Sequence, residues 1–351
     1  MPTGSKDPDV LLAWLLDSMG LVRRKSEGMS VDDEQGALHR LMRETLLSEP
    51  LKGWDTKSLG DASGLSQTGM HHQLVKLRES GLVAAETEGR WHIHVLRGGS
   101  ISAAVDLVSV QARAILDLRL SEVAERVTES DGRMVIPSED GDGGFQIEIA
   151  EPGATVEGED RLDALMRDLG LNGERGKHND RLARQLFEEI SSSGRATTLL
   201  ALADKTGDSR SRVQRAVERM RAAGIAERVP MLDRIAQDVY AGLMRQHNAR
   251  GEEWLMTRGG LGRLDESVSK SLIAGVRKKS LNIEKVQDIL APVPLDAQRV
   301  LLNTLGGRMP YGIRISGRDG AAVKERVMRQ ADRTLRRLRT VAQRLDESLA
   351  S

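Results

Sequence analysis

Two stretches of this chain match each other without a gap, and this repeat restricts the fold more than any other feature. Residues 64–81 align with residues 207–224. In the first stretch, Met70, Leu74 and Leu77 have the i, i+4, i+7 spacing of one helix face. The residues aligned with them are also apolar: Val213, Val217 and Met220. The sequence therefore predicts the same helical unit twice, with matching N-cap serines and matching stop glycines.

The first copy is the better formed, and it extends from residue 56 to residue 99. A short amphipathic helix ends at a turn at Gly64, and Ser66 is a good N-cap for a second helix that reaches about Ser80. Gly81 stops that helix. Two short strands, 82–85 and 91–96, follow around a Glu-Gly-Arg turn.

This order of helix, turn, helix and β-hairpin resembles the winged helix-turn-helix of MarR- and ArsR-type transcription regulators. The resemblance implies that the second helix enters the DNA major groove and that the hairpin, the wing, contacts the backbone. The same resemblance applies to the second copy. There, the sequence predicts a wing enlarged by about 18 residues, because Trp254 and residues 258–260 resemble Trp91 and residues 97–99. Part of that insertion, 231–244, has a helical pattern.

Helices are predicted on both sides of the first copy. Segments 8–24 and 36–48 precede it, and a long helix over 100–127 follows it. In regulators of the resembled type, a helix after the wing often builds the dimer interface, so this long helix packs either on a partner or within its own chain. Segment 129–160 is an acidic linker, with a possible hairpin between 133–137 and 145–149.

The C-terminal region is predicted to be helical, with a strand at 311–315. Its last helix, 319–349, has an apolar heptad seam that includes Leu335, Leu338 and Leu345. Many arginines surround this seam. The pattern predicts a basic coiled coil that forms a homodimer or lies along DNA; the alternative is a solvated helix docked on the C-terminal core.

The predicted fold class is mainly α with small β-wings, as tandem winged-helix domains plus a helical C-terminal region. The predicted domains are a first winged-helix domain, an acidic linker, a second winged-helix domain and a C-terminal region, at 1–128, 129–160, 161–266 and 267–351.

Composition gives no global argument for a nucleic-acid partner, because Lys+Arg and Asp+Glu are both 52. The chain has no cysteine, which excludes disulfides and thiolate metal sites and fits a reducing compartment. No apolar run reaches the roughly 18 residues that a membrane span needs. We therefore expect a soluble cytoplasmic protein without a membrane partner.

The candidate partner is double-stranded DNA, contacted by the polar faces of the two second helices and by the first wing. Arginine and lysine suit phosphates, whereas glutamine and histidine can contact base edges. The alternative for each charge is an ordinary solvated helix face. The candidate DNA-binding residues are Gln67, Thr68, His71, His72, Lys76, Arg90, Arg97, Arg210, Arg212, Gln214, Arg215 and Arg219.

The sequence gives little support for a metal site, a cofactor site or a catalytic site. His92 and His94 lie two apart on a strand, near His71 and His72 in sequence, but a metal site is the weaker interpretation of this pattern. No P-loop, dinucleotide fingerprint or nucleophile elbow occurs. We therefore predict no metal, no cofactor and no catalytic residues.

The sequence favours a DNA-binding protein, a transcriptional regulator. The competing hypothesis is a winged-helix adaptor or scaffold that acts through protein–protein contacts, of the chromosome-organising or basal-transcription type. Near-zero net charge and the acidic linker favour the adaptor, and the arginines of 210–221 favour DNA.

Overall fold

A computed structural model describes residues 4–22, 36–89, 91–129, 147–149, 157–173 and 181–351, together with Pro2 and Phe145. The fold is mainly helical, with 65% helix and two small antiparallel sheets, which confirms the coarse part of the predicted fold class. The chain forms two compact units. The N-terminal unit contains the described residues of Met1–Glu122, Glu148–Val156 and Lys324–Ser351, and the central unit contains those of Val123–Ile147 and Glu157–Val323.

The N-terminal unit has the predicted order of elements around a three-stranded sheet. Its strands are ordered β1-β3-β2, and β3 pairs antiparallel with both neighbours. Helix α1 is capped by the Asp7 carboxylate, and α2 continues into a π-helical turn at Met42–Leu46. The elements are α1 (Pro8–Ser18), α2 (Ala37–Leu41), β1 (Trp54–Asp55), α3 (Thr56–Ser63), α4 (Gln67–Glu79), β2 (Val83–Glu88), β3 (Trp91–Leu96) and α5 (Ile101–Ala124).

The long C-terminal helix, α14 (Gly320–Ala350), completes the core of this unit. Leu338, Ala342 and Leu345 of its heptad seam lie in one apolar cluster with residues of α1, α2 and α4. The seam therefore packs on the N-terminal core and not, as in the alternative interpretation, on a C-terminal core. A homodimer through the same seam stays a prediction, and it would require these side chains to leave that core.

Helices α5 and α14 pack against each other within the N-terminal unit, with opposite charges facing along their length. Arg339 Nε lies 2.9 Å from Asp106 Oδ1, and Lys324 Nζ lies 2.9 Å from Asp117 Oδ1. Arg113 of α5 pairs with Asp332 of α14. The pairings reverse in order along the two helices, so the helices are antiparallel.

The central unit repeats the helical part of the N-terminal unit and then departs from it. Helices α7, α8 and α9 precede strand β4, which pairs antiparallel with β5. The predicted strand at 311–315 is confirmed. The elements are α6 (Arg161–Asp168), α7 (Leu182–Ser192), α8 (Leu199–Thr206), α9 (Arg210–Ala222), β4 (Ala226–Pro230), α10 (Leu232–Thr257), α11 (Glu266–Arg277), α12 (Ile283–Leu290), α13 (Leu295–Thr304) and β5 (Tyr311–Ile315).

The predicted second wing was wrong in its partner strand and in its extent. Trp254 and Arg258, which resemble the end of the first hairpin, lie in helix α10 and at its C-cap instead. The true partner of β4 begins at Tyr311, so residues 231–310 all stand between the two strands. The Trp254 resemblance was misleading because a short tryptophan–arginine–glycine pattern can occur at the end of a helix as well as of a strand.

Residues 231–310 form a helical insertion with its own apolar core. Buried side chains of α10, α11, α12 and α13 belong to one cluster, which includes Leu243, Leu272 and Leu302. The Met231 amide donates a hydrogen bond to the Pro310 carbonyl at 2.9 Å and so closes the base of the insertion. The predicted boundary at residue 266 therefore falls inside this insertion.

The two repeats agree in detail on both sides of the insertion. Trp54 pairs with His94 in the first, and Thr197 forms a bridge with Ile313 in the second. The Arg97 amide donates to the Leu82 carbonyl at 2.9 Å, and in the second copy the Ser316 amide donates to the Ile225 carbonyl at the same distance. Both copies therefore close their strands in the same register, and α14 follows β5 as α5 follows β3.

Other sequence predictions have mixed outcomes. The long helix after the first hairpin is confirmed as α5, and its side chains Leu107, Val110 and Leu118 are exposed. The predicted hairpin strand at 133–137 lies outside the described residues; of its partner, Phe145 and residues 147–149 are described and are not in a strand.

Within the described part of the chain, no helix is both long and apolar enough to cross a membrane.

Candidate nucleic-acid interface

The turn between α3 and α4 is set by local hydrogen bonds. Asp55 caps α3, since its carboxylate accepts from the Lys57 and Ser58 amides at 2.9 and 3.0 Å. The Ser58 hydroxyl and amide hold the pKa of this carboxyl below its ordinary value, so the cap is ionised at neutral pH. Gly64 takes the left-handed conformation that ends α3, and Ser66 then caps α4.

Helix α4 divides cleanly into a buried face and an exposed face. Met70, Leu74 and Leu77 are buried in the core of the N-terminal unit, as their spacing predicted. That packing leaves the polar residues of the first turns outside. Gln67, Thr68, His71 and His72 are exposed, while Gln73 and Lys76 are half-buried. The structure therefore brings the predicted base-contacting side chains together at the N-terminal end of α4.

The structure describes one of the two candidate arginines of the hairpin after α4. Arg97 is half-buried, and its Nη1 donates to the Gly81 carbonyl at 3.2 Å. Gly81 has φ 75° and follows the C-cap of α4, so the guanidinium binds the backbone of the turn after this helix. Arg97 thus has a structural use that competes with phosphate contact, and Arg90 lies outside the described residues.

Helix α9 has the same division of faces. Val213, Ala216, Val217 and Met220 are buried. The opposite face borders a shallow depression that includes the side chains of two polar residues, a carboxylate and two guanidinium groups. The lining residues are Ser211, Gln214, Arg215, Glu218 and Arg219.

The arginines of α9 are not equally available. Arg212 Nη1 lies 2.6 Å from Asp208 Oδ1, and Arg221 Nη1 lies 2.7 Å from Glu218 Oε2. Arg219 donates from Nε to the Leu171 carbonyl at 2.7 Å and is half-buried. Arg210 and Arg215 are exposed. The cationic face of α9 is therefore narrower than its five arginines suggest, and Arg210 and Arg215 carry most of it.

Two histidines of the first hairpin, His92 and His94, differ in their surroundings. His92 is exposed, whereas His94 is buried at 4% exposure, with Nε2 3.5 Å from Thr56 Oγ1. Burial first, and then the positive charge of Arg78 and the neighbouring His92, lower the pKa of His94 below its ordinary value. Among the described residues, no group of three or more His, Asp or Glu side chains could hold a metal ion.

The sequence missed one exposed cation beside the second sheet. Arg228 of β4 is exposed, and its guanidinium stacks 4.1 Å from the centre of the Tyr311 ring on β5. The predicted strand at Tyr311 was the available signal. Its pairing with β4 could not be predicted, because the whole insertion separates the two strands in sequence.

The comparisons with known proteins give no further guide to this site. No model of a protein family matches the chain, and neither a curated protein nor a solved structure matches it.

Proposed function

We propose that this chain is a DNA-binding protein, a transcriptional regulator, that contacts duplex DNA through two winged-helix modules. The modules are α3, α4 and the β2–β3 hairpin in the N-terminal unit, and α8, α9 and the β4–β5 pair in the central unit. The observation that carries the proposal is the shared exposed face of the two second helices. Each buries its apolar stripe and leaves hydrogen-bonding and cationic side chains outside at its N-terminal end.

In this proposal, α4 contacts base edges and α9 contacts phosphates. Gln67, His71 and His72 of α4 offer the hydrogen-bond donors and acceptors that base edges require. Arg210 and Arg215 of α9 offer charge to phosphates, whose contacts position a protein on DNA without reading sequence. The first module therefore supplies sequence preference and the second supplies affinity that salt weakens.

A protein–protein adaptor is the second candidate, and two observations favour it. On α9, Arg212 and Arg221 pair with the carboxylates of Asp208 and Glu218, and Arg219 is bonded to the Leu171 carbonyl. On α5, a stripe that includes Leu107, Val110 and Leu118 is exposed, with Val110 at 63%. An apolar stripe of this kind is typical of a surface that binds another protein.

Duplex DNA of mixed sequence, labelled and titrated with the full chain at several salt concentrations, tests the proposal. We expect salt-dependent binding, and we expect Arg210→Glu with Arg215→Glu to reduce the slope of log K against log salt by about 2, roughly one for each lost phosphate contact. The matched control is Arg234→Glu with Arg308→Glu, which reverses the charge of two exposed arginines of the insertion. If the control weakens binding as much as the α9 variant, or if neither weakens it, the role of α9 is refuted.

A further inference from the structure

The outward face of α14 is strongly basic. Its opposite face is buried, with Leu338, Val341 and Leu345 in the core of the N-terminal unit. The side chains that remain outside over the middle of the helix are mostly guanidinium groups. The exposed arginines are Arg326, Arg329, Arg333, Arg336 and Arg337. We call this set the α14 arginine stripe.

The stripe is continuous because its residues follow the period of the helix. The steps from Arg326 to Arg329, Arg333 and Arg336 are three, four and three residues, so these side chains lie on one face. At 1.5 Å per residue, the stripe from Arg326 to Arg337 is about 17 Å long. Cations arranged in this way form a line of positive charge and not an isolated cluster.

The carboxylates on this part of the helix, Glu325 and Asp332, are fewer than its arginines. Glu325 pairs with Arg329. Asp332 points to the other helix, where it pairs with Arg113 of α5. The only lysine at this end, Lys324, is likewise used against Asp117. The ion pairs between α5 and α14 therefore leave an excess of positive charge on the outward face.

We infer that the α14 arginine stripe binds the phosphate backbone of nucleic acid. Guanidinium groups donate to phosphate oxygens in a planar fork and remain charged at any physiological pH. A duplex presents a negative charge every 1.7 Å or so along its axis, so a line of arginines about 17 Å long finds phosphates along its whole length. Contacts of this kind add affinity without sequence preference. The inference rests on the proposed function insofar as both concern DNA, but it assigns a separate surface.

The test compares variants of the full chain in the same salt titration. Arg333→Gln with Arg336→Gln removes two exposed charges, and glutamine keeps the propensity of the helix. The matched control is Arg234→Gln with Arg308→Gln. We expect the α14 variant to reduce the slope of log K against log salt by about 2 and to weaken binding by the same factor for unrelated duplex sequences. Circular dichroism of each variant checks that the helices are intact.

The outcomes separate this inference from the proposed function. If the α14 variant binds as the control does while Arg210→Glu with Arg215→Glu loses binding, the stripe is not a phosphate surface and the proposed role of α9 stands. If the α14 variant loses binding while the α9 variant does not, the stripe is supported and the role of α9 fails. Polyglutamate bound as tightly as DNA, with the same loss in the α14 variant, would assign the stripe to an acidic protein instead and overturn the inference.

Discussion

The two repeats pair their strands in the same register through connections of very different length. In the N-terminal unit, only Gly89 and Arg90 separate β2 from β3, whereas in the central unit residues 231–310 separate β4 from β5. Yet Val83 pairs with Leu96 as Ala226 pairs with Ile315. A folded insertion that brings its own ends together, as the Met231–Pro310 hydrogen bond shows, does not disturb the register. The same strand register is therefore compatible with a two-residue turn and with a folded insertion.

The largest effect that can test this comparison is the loss of an equivalent core side chain. Leu59 and Leu202 are aligned and fully buried, so Leu59→Ala and Leu202→Ala should each destabilise their own unit by about 2–5 kcal/mol. Leu200→Ala is a matched control on the same helix, since Leu200 is 60% exposed, and it should change stability by less than about 0.5 kcal/mol. Urea unfolding followed by circular dichroism measures these differences.

Hydrogen exchange then locates the loss. If Leu202→Ala were to speed hydrogen exchange of the amides in α3 and α4 as much as in α8 and α9, the two repeats would unfold as one cooperative unit. They could then not be compared as independent units.

The sequence predicted features that depend on interactions between residues close in the chain, and it missed features that depend on residues far apart in the chain. Helices α4 and α9 and the glycines after them were predicted because apolar period and turn chemistry act over a few residues. Ser66 caps α4 with its side chain as predicted, whereas Ser209 occupies the N-cap position of α9 without a side-chain capping hydrogen bond. The strand Tyr311–Ile315 was predicted as an element, but its partner was not. Pairing across the insertion depends on tertiary packing that no local pattern encodes.

The same reason limits the prediction of the candidate site. The exposure of Gln67 and His71 follows from the helical period, so it was predictable. The pairing of Arg212 with Asp208, four residues away, was also visible in the sequence. The bond from Arg219 to the Leu171 carbonyl joins residues of α9 to a turn before α7, and only the folded chain shows it.

A smaller effect tests whether the two turns are truly equivalent. Gly64 and Gly207 have φ 68° and 70°, and a Cβ at either position would meet nothing within 4 Å. Alanine at either site should therefore lower the free energy of unfolding by roughly 1–2 kcal/mol, because it disfavours the left-handed conformation, and it should add no clash. Asparagine should cost less than alanine at both, because it tolerates this conformation. Thermal unfolding of the paired variants measures this, and a cost at one glycine several times that at the other would show that the turns differ.

The smallest effect concerns an aligned position at which both side chains are buried but differ in polarity, His94 in the first repeat and Ile313 in the second. Burial lowers the pKa of His94 below its ordinary 6.5, so below that pH the unfolded chain binds more protons than the folded one. Stability of the N-terminal unit should therefore fall as the pH drops from about 7 towards 5. His94→Ile copies the second repeat and should flatten this dependence in urea unfolding at several pH values. An unchanged slope in that variant would mean that the acid sensitivity arises at other groups, and that the buried histidine is only a packing difference between the repeats.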